Sequence, residues 1–121
     1  VSPDGFWMLI LCHFAGDYLL QNDYQAKNKK AVGVFGLAVC SFHVLLYSIP
    51  FAFTGLLWWQ VGLIFVQHLI QDRTGFVVWF MRVIGKREFL QPPFAPWSII
   101  LIDNLLHILW IAVVAKSGEW V

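Results

Sequence analysis

A chain of 121 residues has room for one domain, and one that is 60% hydrophobic but only 12% charged carries about half the charged share of an ordinary soluble domain. Its mean hydropathy of +0.71 makes the bilayer the expected solvent. A formal net charge of +1 says nothing about nucleic acid, but there is no basic stripe to bind it, so no nucleic-acid partner is expected.

Four apolar segments follow one another along the chain. The first, about residues 6–21, is short for a span and needs polar neighbours or a thinned bilayer to complete it. It lacks a basic leading region and a small-residue cleavage site, so it is expected to belong to the fold and not to a signal peptide. The polar stretch up to Lys30 holds Lys27, Lys29 and Lys30. The second segment, about 31–53, carries Gly33 and Gly36 near its start and Pro50 near its end. A brief turn at Thr54–Gly55 precedes the third, about 57–84, which contains His68, Asp72 and Arg73. Lys86, Arg87, Pro92, Pro93 and Pro96 fill the next loop, where the prolines end one helix and start another. The last segment is about 97–115. Cys12 and Cys40 sit within apolar runs, which predicts small buried thiols and no disulfide framework.

These runs are too long and apolar for strands, whose open edges lipid does not tolerate. The predicted fold is therefore an all-α integral membrane protein, an antiparallel bundle of four transmembrane helices forming a single domain over 1–121. Four spans put the two Lys/Arg-bearing connections on one side, and the positive-inside rule makes that side cytoplasmic, with both termini outside. Tryptophans near the ends of the runs suit the lipid boundary.

The polar residues inside these segments carry the chemistry. They are spaced as His13-x3-Asp17, a lone His43, His68-x3-Asp72 and Asp103-x3-His107, and a gap of four puts both members of a pair on one helix face. Burying ionisable groups in hydrocarbon costs several kcal/mol each unless they are paired or bound to metal. At a rise of about 1.5 Å per residue, the seven groups fall roughly 6–21 Å below the charged boundary, a common band in the cytoplasmic half. They are predicted to converge on a metal centre: His13, Asp17, His43, His68, Asp72, Asp103 and His107. Imidazole with carboxylate and no thiolate suits zinc first, with manganese or iron as alternatives, as one or two ions. Asp72 and Asp103 are the carboxylates expected to act in catalysis, as general base or metal bridge. Gln67, Gln71, Asn104 and Ser41 flank the donors and can orient them. Arg73 is placed to meet a substrate phosphate, to neutralise Asp72 or to snorkel to the interface.

The motifs HFAGD, HLIQD and DNLLH resemble those of small polytopic bacterial and phage membrane proteins of unknown function related to LexA-regulated, membrane-bound metal-dependent hydrolases. The resemblance covers most of the chain and implies a metal-dependent reaction in a bacterial inner membrane. More distantly, the helical HxxxD pairs are similar to the ligand motifs of the all-helical zinc phospholipase C group, which would make His13, Asp17, His68 and Asp72 ligands. The chain lacks that group's further ligands and much of its length. The function expected is a metal-dependent hydrolase of a lipid or lipid-linked phosphoester, with membrane lipids as its surroundings. Other readings use the same residues: interhelical hydrogen bonding in a structural subunit of a larger complex, a proton or metal-ion pathway, and a haem- or pigment-binding subunit.

Overall fold

The computed structural model describes residues 3–118, and all regular structure among them is helical. Helix α1 (Pro3–Phe14) passes into a single π turn, Ala15–Leu19. There the Leu20 N–H donates to the Ala15 carbonyl, five residues back, at 2.9 Å. Gly16 lies against Tyr47, whose ring a Cβ at this position would strike. Such one-turn expansions gather at functional sites, and this one carries Asp17.

The polar connection that follows is partly helical. A reciprocal cap starts α2 (Asp23–Asn28): the Gln25 N–H donates to Asn22 Oδ1 at 2.8 Å, and the Asn22 N–H to Gln25 Oε1 at 3.3 Å. Gly33, at φ +85°, then turns the chain into α3 (Gly33–Ser48), a conformation that costs a glycine little. A 3₁₀ turn over Pro50–Phe53 leads to α4 (Trp58–Arg73), α5 (Phe76–Val83) and α6 (Trp97–Ser117). Gln60 ties α4 to α6, accepting from the Leu57 N–H at 2.8 Å and donating to the Val114 carbonyl at 2.9 Å.

Helices α1, α3, α4 and α6 pack around a core of Leu9, Cys12, Tyr47, Phe51, Ile64, Ile111, Val114 and Ala115. Four of these sit one turn from a buried histidine: Leu9 four residues before His13, Tyr47 four after His43, Ile64 four before His68 and Ile111 four after His107. The offset changes sign from each of these helices to the next, as it must when neighbours run in opposite directions. An apolar layer and a histidine layer are thus stacked along the bundle. Cys12 and Cys40 are buried and unpaired.

The outer surface is apolar where a soluble bundle would be polar. On α6, Leu101, Leu105, Leu109 and Val113 recur at every fourth position and all are exposed. Among the described residues two helical stretches, Gly33–Phe53 and Trp97–Ser117, are long and apolar enough to cross a membrane, where the sequence predicts four. The other two fall short for local reasons. Gly5–Leu19 is an apolar helix of shorter length. The segment predicted over 57–84 is divided at Thr74–Gly75, where Thr74 adopts extended backbone and ends α4.

Candidate metal centre

The facing donors of the histidine layer come from four elements, with His13 of α1 beside them. The π turn after α1 presents Asp17, α3 presents His43, α4 presents His68 and Asp72, and α6 presents Asp103 and His107. All four histidines are at most 1% exposed, and Asp72 is buried with them.

The tightest part is a ring of alternating nitrogen and oxygen donors. Asp17 Oδ1 lies 3.3 Å from His43 Nε2 and 3.2 Å from His68 Nε2. Asp72 Oδ2 lies 3.2 Å from His43 Nε2 and 3.1 Å from His68 Nε2. Donors held about 2.0–2.2 Å from one four- to six-coordinate cation stand about 3.0–3.6 Å from each other. The four separations therefore equal the edges of a coordination shell. His68 Nε2 and Asp72 Oδ2 are in hydrogen-bond geometry at 3.1 Å, whereas His43 Nε2 and Asp17 Oδ1 are buried without a hydrogen-bond partner despite these close approaches. Buried polar atoms left in that condition are rare and call for an ion or an equivalent partner.

A second set comprises Asp17, Asp103 and His107, whose donor atoms also lie within ligand-sharing reach of one another. His107 Nε2 is 3.6 Å from Asp103 Oδ1 and 3.5 Å from Asp72 Oδ1, again buried and without a hydrogen-bond partner. Its other nitrogen fixes the tautomer. Gln67 spends its amide N–H on Gln71 Oε1 at 2.6 Å, so Gln67 Oε1 accepts from His107 Nδ1–H at 3.3 Å. That leaves the Nε2 lone pair of His107 free for a cation, the usual arrangement of a metal-binding imidazole. Gln71 in turn donates to Asp103 Oδ1 at 2.8 Å and to the Asp103 carbonyl at 3.0 Å.

His13 reaches the same layer with both nitrogens engaged. Asn104 donates its amide protons to Tyr18 Oη at 2.7 Å and the Ile100 carbonyl at 3.0 Å, so its Oδ1 accepts from His13 Nε2–H at 2.9 Å. His13 Nδ1 then accepts from the Tyr47 hydroxyl at 2.6 Å. With Asp17 4.0 Å away, His13 falls outside both donor sets. It is placed as a support for Tyr47, whose ring lies 3.8 Å from that of His68 between centroids.

Six of the seven residues predicted from sequence thus form the two donor sets, and the seventh borders them. Of the flanking polar residues, Gln67, Gln71 and Asn104 hold donors or their neighbours, whereas Ser41 makes no side-chain hydrogen bond. The sequence pairs Asp72 with His68, which lies 3.1 Å away, but not with the cation that meets it. Lys29 Nζ donates to Asp72 Oδ2 at 2.9 Å, while Arg73 bonds the Gly33 carbonyl at 3.2 Å and leaves Asp72 to the lysine. Burial works against the Lys29 ammonium, but Asp72, with Asp17 and Asp103 behind it, outweighs burial and raises its pKa above the ordinary lysine value. A lysine in a tri-lysine loop reads as a topology signal. The warning in the sequence was three carboxylates in apolar surroundings with one cation to answer them.

Residues 6–121 match the family model described as Protein of unknown function (DUF3307), and the chain belongs to that family. The match gives no link to LexA-regulated hydrolases. Neither the curated proteins nor the solved structures include a match to the chain.

Proposed function

We propose that this member of the DUF3307 family is a membrane-embedded, metal-dependent hydrolase acting on a phosphoester of a lipid or lipid-linked molecule. The observation that carries the reading is the closed ring of Asp17, His43, His68 and Asp72 donors, with edges of 3.1–3.3 Å in a buried layer. A divalent cation bound there supplies water activation and stabilisation of developing negative charge. The donor set is nitrogen and oxygen without thiolate, which favours zinc, then manganese or iron.

The chain's own groups have separable tasks in this reading. Asp72 orients the donor set and is held by Lys29. Asp103 is the most accessible carboxylate of the three, 30% exposed at its side chain against 10% for Asp17 and 4% for Asp72. Steadied by Gln71, it is the residue suited to take a proton from water entering the site. Lys29, 17% exposed at its side chain, fits an anionic substrate approaching from the loop side.

The lipid assignment rests on surroundings. An apolar cavity of about 550 Å³ lies between α4, α5 and α6, lined by Leu63, Val66, Ile70, Phe76 and Leu109, and its polar residues are Gln67 and Gln71. These glutamines bond His107 and Asp103, so the cavity adjoins the donors. With four crossings, the short first and divided third segments completing the bundle, the basic loops are cytoplasmic in a bacterial inner membrane and both termini face outward. A pigment subunit is less well supported, since His68 and His107 stack on each other at 4.0 Å and leave no gap between them for a macrocycle.

The test is hydrolysis of short-chain lipid phosphates by detergent-purified protein, with and without chelation. Chelator-sensitive turnover that Asp72→Asn abolishes supports the reading. A metal-loaded protein that transports cations in proteoliposomes, and hydrolyses none of these esters, replaces it with the ion-pathway alternative.

A further inference from the structure

We infer that the centre takes two divalent cations, bridged by Asp72 and Asp17. This rests on the metal-centre reading above. The decisive geometry is the His68–His107 pair, whose ring centroids are 4.0 Å apart and whose planes are inclined by only 11°. An imidazole's donor lone pair lies in the plane of its ring. Two rings stacked in near-parallel planes share no in-plane point within bonding reach. A cation serving both would stand out of each plane by about half the ring spacing, where neither lone pair points. His43 and His68 differ: their planes are inclined by 57°, and their Nε2 atoms face the same two carboxylate oxygens. These two histidines can share a cation, and His68 and His107 cannot.

Asp72 is disposed to match. Its Oδ2 faces His43 and His68 at 3.2 and 3.1 Å, and its Oδ1 faces His107 at 3.5 Å. Each carboxylate oxygen addresses a different histidine group, as in a bridge between two metals. Asp17 belongs to both donor sets. His107 Nε2, buried, unpartnered and with its tautomer set by Gln67, is the unused donor that the second position needs. The first cation is assigned to His43, His68, Asp17 and Asp72, and the second to His107, Asp103, Asp17 and Asp72. Two divalent cations held by these residues would supply the paired-metal chemistry of a phosphoryl displacement.

Charge then selects the ligand. Asp17, Asp72 and Asp103 with the Lys29 ammonium leave two negative charges. One dication neutralises the centre, whereas two leave it with two positive charges in a buried layer. Such a centre favours an anion with oxygens to span both metals, which a phosphate ester has and a neutral carboxylic ester or amide lacks.

The experiment loads full-length, detergent-purified protein with Mn²⁺ and records bound metal and the electron paramagnetic resonance spectrum. Two Mn²⁺ per chain with an exchange-coupled spectrum is the expected result. His107→Ala and Asp103→Asn, with helical circular dichroism retained, are expected to bind one Mn²⁺ and give the six-line spectrum of an isolated ion. Inorganic phosphate should bind the native loaded protein at least about tenfold more tightly than the His107→Ala form. One Mn²⁺ per native chain with an isolated-ion spectrum overturns the inference and leaves the single-metal reading standing. Less than about half an equivalent of any divalent metal removes both. The native spectrum decides the matter even if the variants do not fold.

Discussion

Lys29→Met separates the roles of lysine and metal, because in the proposed centre both would neutralise the same carboxylate. The ammonium sits 2.9 Å from Asp72 Oδ2, and the carboxylate is 4% exposed. Removing one partner of a buried pair costs about 3–5 kcal/mol, because it strands the other charge. The 17% exposure of the Lys29 side chain argues for the lower end, about 3 kcal/mol. In metal-loaded protein Asp72 would keep a cation, and the loss should fall to about 1.5 kcal/mol, the lower end for one charge-assisted hydrogen bond. The difference of about 1.5 kcal/mol must reappear as metal affinity, roughly tenfold tighter in the variant, since binding and stability are linked. Thermal unfolding followed by circular dichroism, with and without chelator, measures both arms. Equal destabilisation in the two states, or unchanged metal affinity, refutes the claim that lysine and metal share Asp72.

Asp17→Asn, which touches both donor sets, should bring bound metal below about half an equivalent, whereas His13→Gln should retain it because both His13 nitrogens are already engaged; elemental analysis of the two variants distinguishes them. Gly16→Ala forces a methyl against the Tyr47 ring and should lower stability by about 1–3 kcal/mol, read as a drop in melting temperature. Leu105→Lys alters a residue on the exposed stripe of α6 and tests the membrane reading. In a translocon insertion assay it should disfavour the α6 segment by about 3–4 kcal/mol, whereas a change within about 0.5 kcal/mol counts against the membrane reading.

The histidine layer was legible because helical periodicity is strict. Four-residue gaps put His68 with Asp72 and Asp103 with His107 on single faces, and counting the rise from each charged boundary places the donors in a common band. What spacing could not convey is which way each ring turns. His13 has the same HxxxD context as His68, yet Tyr47 and Asn104 take both its nitrogens. Those partners lie 34 and 91 positions away, beyond any local pattern. The π turn at Asp17 also escaped detection, as one extra residue in a helix leaves the hydrophobic pattern nearly intact. The break at Thr74–Gly75 hid for a related reason, since α5 resumes with apolar residues and hydropathy runs on through the interruption. Lys29 was obscured by its neighbours Lys27 and Lys30, which made a buried cation look like part of a solvated run.

X-ray absorption at the metal edge of the purified, loaded protein puts the donor assignment to its most direct trial. The account predicts a first shell of nitrogen and oxygen at about 2.0–2.2 Å, with outer-shell scattering from imidazole and none from sulfur. A sulfur shell near 2.3 Å, implicating Cys12 or Cys40, or a shell without imidazole, would contradict it.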